Sequence, residues 1–162
     1  MESRRVPGRR LRMFGLLVWA VVLGLPGCTG QSEHSPTFEI RDIVDSASVA
    51  RHVLKDEEGK EFFVGDTVFF SRADMKSVTA DKNPEGGGSA LNIAWKSECA
   101  DRWRWYTAAR VGKRIAIIAN GKVLATPKIL DPIQSPRIMV SLPDKDIRQA
   151  TKMAAELSPV KQ

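Results

Sequence analysis

Residues 111–133 read VGKRIAIIANGKVLATPKILDPI, and the way this stretch pairs with itself decides the fold. Two β-rich runs, 114–119 and 122–126, flank Asn120-Gly121, the dipeptide that best tolerates the two positive-φ positions of a type I′ turn. Both runs read as apolar on both faces, with Ile115, Ile117 and Ala119 on one and Ala116 and Ile118 on the other. Such a run belongs in the middle of a sheet rather than at its rim, so a central hairpin is expected. Gly112 stands where a helix C-terminal glycine belongs, so a helix should arrive just before the hairpin leaves. Pro127 has no N–H to give a ladder, and regular pairing should stop near Thr126.

The helix upstream is expected to start with Ser97 as N-cap and to run to Val111. At about 100° per residue, Ala100, Trp103, Thr107 and Val111 share one stripe, which should pack on the sheet with Trp103 beside Ile117. Trp105 falls roughly 155° from the centre of that stripe and should face solvent unless the N-terminal stretch or a loop folds over it. An outward tryptophan with Arg102 nearby marks these two residues as candidate partner contacts.

Further upstream, 76–82 and 90–95 read as two strands joined by the loop 83–88. Its three glycines are followed by neither Lys-Ser/Thr nor a helix, so they make a hairpin loop and not a phosphate cradle. The segment 62–70 has β composition broken at Gly65-Asp66, and Ser71 can cap one helical turn through Met75. Residues 56–60 should form a charged turn and 45–52 a short helix. Phe38, Ile40 and Val44 alternate as a first strand would, but Asp42 interrupts the apolar face, which calls for a bulge or a shorter strand. Downstream, 128–133 should be an extended connection and 138–142 a last strand. Pro143 and Asp144 should open a second helix packed through Ile147, Ala150, Ala154 and Leu157 and ended by Ser158-Pro159.

The N-terminal region has another character. Arg4, Arg5, Arg9, Arg10 and Arg12 precede an apolar run at 14–25, and Leu25-Pro26-Gly27-Cys28 follows. The run is shorter than the ~20 residues of a membrane span and has the order of a secretory signal. Its ending resembles a bacterial lipobox, which makes Cys28 the candidate lipidated residue. Thr29 in place of Asp after Cys28 favours the outer membrane by resemblance to lipoprotein sorting. The domain plan is a signal peptide over 1–27, a flexible tether over 28–37, a folded domain over 38–158 and a tail over 159–162. Five arginines against Glu2 give the leader +4, which leaves +2 of the chain's +6 to the remainder. The basic character is therefore no argument for nucleic-acid binding. Cys99 has no partner once Cys28 carries lipid, and burial is the common state of a free cysteine. The two histidines, His34 and His52, do not suit a histidine triad or a multi-histidine metal site.

Ser97-Glu98-Cys99-Ala100, Trp103, Thr107 and Val111-Gly112-Lys113-Arg114-Ile115-Ala116-Ile117 resemble the SEGA…F…T…GKRLAI pattern of SecD. Asn120-Gly121-Lys122-Val123-Leu124-Ala125-Thr126-Pro127 is similar to that family's DGKVISAP, and Asp131-Pro132-Ile133 to its EPI. Phe38-Glu39-Ile40-Arg41, Phe70-Ser71-Arg72-Ala73-Asp74-Met75 and Leu91-Asn92-Ile93-Ala94-Trp95 take the places of its FEIR, LTGADI and VNFTL. The resemblance spans nearly all of 38–157 and is to the head subdomain of the first periplasmic region of SecD, the membrane partner of the bacterial export channel. It implies an α+β fold, ferredoxin-like, with an antiparallel sheet carrying two main helices on one face, and a role in holding emerging polypeptide. Three departures stand out: Arg72 and Cys99 each replace a glycine, and Ser135-Pro136-Arg137 replaces a glycine pair. The proton-driven transmembrane part of SecD has no counterpart after Cys28.

The expected function is thus a lipid-anchored envelope module that binds unfolded or extended polypeptide, with no cofactor, metal, nucleic acid or small-molecule substrate. The alternative is a structural or regulatory lipoprotein with one folded protein partner; an enzyme ranks third.

Overall fold

The computed structural model describes residues 36–45, 52–84, 86–142 and 145–159. The leader, Cys28, the tether to residue 35, most of the helix expected at 45–52, Pro143-Asp144 and the end of the tail lie outside the described residues. Asn120 at φ 50° and Gly121 at φ 76° make the two-residue turn that joins β7 (Ile115–Ala119) to β8 (Lys122–Ala125). All five residues of β7 are buried. The remaining strands are β1 (Phe38–Asp42), β2 (His52–Lys55), β3 (Glu61–Val64), β4 (Phe70–Ser71), β5 (Met75–Lys82), β6 (Ser89–Trp95) and β9 (Arg137–Leu142), with helices α1 (Ala100–Ala108) and α2 (Ile147–Leu157). The α+β class with antiparallel strands and two main helices holds. The strands are shared among three ladders: β4-β1-β7-β8, β2-β3 and β5-β6-β9.

The apolar faces of β7 explain its place between β1 and β8. Ile115, Ile117 and Ala119 join the main core with Phe38, Ile40, Leu91, Trp95, Trp103 and Leu157. Ala116 and Ile118 form a second, smaller core with Val64 and Val123, packed on by Leu54 and Phe62 of the β2-β3 hairpin. The hairpin was expected to be central as a whole, but only β7 is; β8 is a rim strand. A register shift between Ile117 and Ile118 bends the pairing there, and Lys122 is exposed. Regular pairing stops at Ala125, next to Thr126 as expected, and only isolated bonds continue beyond it. Pro127 cannot donate but its carbonyl accepts from Ile115 N at 3.1 Å, and Ile129 exchanges bonds with Lys113 O and Gly112 N at 2.9 and 2.8 Å.

Helix α2 is amphipathic, buries Ala150, Ala154 and Leu157, and lies against β5 and β6. Its cap is Asp146 and not the pair 143–144: Asp146 Oδ1 accepts from Gln149 N at 2.9 Å while Gln149 Oε1 accepts from Asp146 N at 3.1 Å, a capping box. Arg72 closes the other end, its Nε donating to the carbonyls of Leu157 and Ser158 at 3.2 and 3.1 Å.

Three expectations on α1 and its surroundings are corrected. Ser97 is not the N-cap, because its hydroxyl turns to Glu98 Oε2 at 3.3 Å; a 3₁₀ turn over Ser97–Cys99 leads into the helix instead. The helix ends at Ala108, so the stripe does not reach Val111, which is 47% exposed, while Tyr106 is buried beside Trp103 and Thr107. His52, assigned to a helix, is the first residue of β2, and its Nε2 faces Asp66 Oδ1 at 3.2 Å. Asp42 breaks the apolar pattern for a reason: it ends β1 and accepts from Arg110 NH2 at 2.8 Å and Tyr106 OH at 3.2 Å, tying β1 to α1. Burial, and then the Asp42 carboxylate, push the Tyr106 hydroxyl far above its ordinary range.

Candidate functional site

Two ladder edges face each other. β9 is one edge of the three-stranded ladder and β8 one edge of the four-stranded one. Val123 and Leu124 of β8 share a small cavity of about 220 Å³ with Ser141 and Leu142 of β9, with Asp56, Glu57, Glu58 and Lys145 around it. Further along the same two edges, a groove of about 460 Å³ lies between residues 127–133 and β9. Trp103, Ile115 and Ile117 line it from the core, and Ile129, Leu130 and Ile133 face Ile138 and Met139 across it; its charged residues are Lys128, Asp131 and Arg137.

The local sequence builds each wall. Trp95 N donates to Pro136 O at 2.9 Å, and antiparallel register alternates bonded and non-bonded pairs. Ile138 and Val140 therefore bond to Ile93 and Leu91 on β6, leaving the main-chain groups of Arg137, Met139 and Ser141 directed to the free edge. The opposite wall is pinned by Thr107, whose Oγ1 donates to Arg104 O at 3.1 Å and accepts from Ile133 N at 3.0 Å. Ser135-Pro136-Arg137, the departure from the glycine pair, is thus anchored to β6 through Pro136.

The predicted contact residues lie elsewhere, one turn apart on α1. Trp105 is 70% exposed, on the side of the helix away from the packed stripe. Arg102 is paired with Asp74 and sits over the Phe70 ring at 4.6 Å. Cys99 is buried and completes this cluster, with Sγ 3.6 Å from both Asp74 Oδ1 and Arg102 NH2. Burial raises the Asp74 carboxyl, but the Ser71 N–H, the Arg102 guanidinium and the Ser71 hydroxyl outweigh it and hold the group below its ordinary value. Burial pushes the Cys99 thiol up. The cluster locks β4 and the 3₁₀ turn over Arg72–Asp74 to α1.

The sequence marks Trp103, Ile115 and Ile117 as core, and Asp131, Ile133 and Arg137 only within the family resemblance; none of them reads as lining a groove. The available signal was apolar Ile129, Leu130 and Ile133 in a segment read as a mere connection, and Met139 among the outward positions of β9. Among the described residues no group of His, Cys, Asp and Glu is arranged to hold a metal ion, and no helix is long and apolar enough to cross a membrane.

Comparison with known proteins gives one consistent family. The model of the SecDF P1 head subdomain matches residues 48–158. The protein translocase subunit SecD of Acidaminococcus fermentans is 29% identical over 101 residues, which is 62% of this chain and 22% of that protein. SecD of Aquifex aeolicus is 29% identical over 84 residues, 51% of this chain and 17% of that protein. The chain therefore spans less than a quarter of the length of these relatives. A solved structure of SecDF, described as a membrane component that enhances protein export, superposes with a TM-score of 0.61 at 18% identity, covering 76% of this chain and 62% of that one. SecDF in its super-membrane-facing form gives 0.60 at 17% identity, covering 76% of this chain and 18% of the other.

Proposed function

The chain belongs to the SecDF P1 head subdomain family, and from that premise we propose that it is a non-catalytic module of the cell envelope that holds extended polypeptide during export or envelope protein handling. The observation that carries the proposal is the groove between residues 127–133 and β9. It offers apolar surface beside a free strand edge, the combination by which an added strand gains both main-chain bonds and side-chain pockets. The proposed attachment is lipid on Cys28, after removal of residues 1–27, with the outer membrane as the favoured site; the lipobox-like sequence supports it.

A photocrosslinking side chain at Met139 tests the site, with exposed Lys152 on α2 as control. A permanently unfolded polypeptide should crosslink strongly from 139 and weakly from 152. Equal yields from both positions would remove the groove from the proposal.

One observation favours a second reading, a single folded partner docking on α1. Trp105 is 70% exposed, with Arg102 one turn away, and a solvated tryptophan is a frequent interface anchor.

A further inference from the structure

Lys128 and Arg137 stand on opposite walls of the groove, both exposed. Neither is in an ion pair among the described residues. Their surroundings have the same sign. Lys113 and Arg114 lie beside the wall of Lys128 through the backbone bond of Lys113 to Ile129 and the bridge of Arg114 to Lys128, and Asp131, on that same wall, is the one acid among the described lining residues. The cavity at the other end of the two edges is bordered by Asp56, Glu57 and Glu58, with Lys145 bonded to Glu57. The seam between β8 and β9 is therefore basic at its wide, apolar end and acidic at its narrow end.

We infer that the groove selects extended segments whose apolar residues are flanked by carboxylates, with Lys128 and Arg137 setting that preference. The inference rests on the groove being a polypeptide site. A segment added to β9 places its main chain against the free groups of Arg137 and Met139, and alternate side chains enter the apolar lining. Residues at the ends of that apolar stretch then meet Lys128 and Arg137. A carboxylate there gains attraction to an unpaired cation, whereas a lysine or arginine meets two like charges. A phospholipid headgroup also complements the charge, but it has no alternating donors and acceptors to satisfy the edge of β9. Polypeptide is therefore the occupant.

Fluorescence polarisation with the full chain and three labelled peptides tests this. The peptides share one core of alternating apolar residues and serines, flanked by Asp, Ser or Lys. The Asp-flanked peptide should bind about 3- to 10-fold more tightly than the Ser-flanked one, as two solvent-exposed ion pairs allow, and the Lys-flanked peptide should bind weakest. Raising NaCl to about 0.5 M should collapse the differences. Lys128→Glu combined with Arg137→Glu should invert the order, and the pair Lys128→Gln and Arg137→Gln should level it. Both positions are exposed, and a thermal melt verifies that each variant folds. Equal binding of the three peptides at low salt would overturn the charge preference and leave the groove reading intact; no binding of any peptide would overturn both. Binding of the chain to phosphatidylglycerol vesicles that is lost in the charge-reversal variant, with no flank preference among peptides, would transfer the site to a lipid surface and overturn the inference.

Discussion

Arg72 shows how one substitution changes what a position does. Where the resembling family has glycine, its guanidinium reaches across to the carbonyls that end α2 and to Pro36 O at 3.4 Å. Cations at a helix C-terminus complement the dipole and satisfy its free acceptors. Its neighbour Asp74 leads to a pH prediction. Because the carboxyl is held below its ordinary value in the folded state, its contribution is present above the unfolded pKa and is lost as pH falls through the folded one. Asp74→Asn should lower stability near neutrality, and the gap to the parent should close as pH drops below about 4. Urea unfolding from pH 7 to pH 2 measures this, and a gap independent of pH would refute it. Trp105 makes the opposite case, a large side chain that the fold does not use. Trp105→Ala should leave the unfolding midpoint almost unchanged, while Trp103→Ala, at 1% exposure, should lower stability by about 3–5 kcal/mol. If Trp105 also anchors a folded partner, capture should weaken by ~1 kcal/mol or more; unchanged capture would dismiss the second reading.

At the scale of elements, what could be read from the chain was local and what escaped was tertiary. The Asn120-Gly121 turn, β5, β6 and the packed face of α2 follow from turn chemistry and periodicity within a few residues, and all are found. The position of β8 does not follow, since a run that is apolar on both faces is equally served by a neighbouring strand or by the β2-β3 hairpin lying over it. The helix is shorter than its periodicity suggests because its last turn tightens, with Arg110 N bonded to Thr107 O at 3.0 Å, and Gly112, at φ 83°, turns its N–H to Ile129 O at 2.8 Å, a partner on the strand extension. The groove was invisible for a similar reason: it exists only where two edges from different ladders come together. The hairpin itself is testable. Ile117 is 3% exposed in the main core with Trp103, so Ile117→Ala should lower stability by about 2–5 kcal/mol in denaturant unfolding. A loss of a few tenths would mean that β7 is peripheral.

For the whole molecule, attachment and site have to be considered together. The processed protein is expected to begin at Cys28 with its lipid, visible as added acyl mass at that residue, and Cys28→Ala should leave the chain unprocessed or free of the membrane. A mature N-terminus elsewhere without lipid would exclude this anchor. Whatever precedes residue 36, the domain is entered at one end of β1. Thr37 and Asn120 exchange bonds of 3.1 and 3.0 Å at the hairpin turn. The groove lies toward the other end, where Asp42 pairs with Ile115. A client pulled from the groove while the N-terminus is held would therefore load β1 along its own axis. The five registered pairs between β1 and β7 would then resist together in shear, and would not open one by one like a zip. On the proposed function, traction borne this way would make the domain a mechanically sound handle for a moving chain.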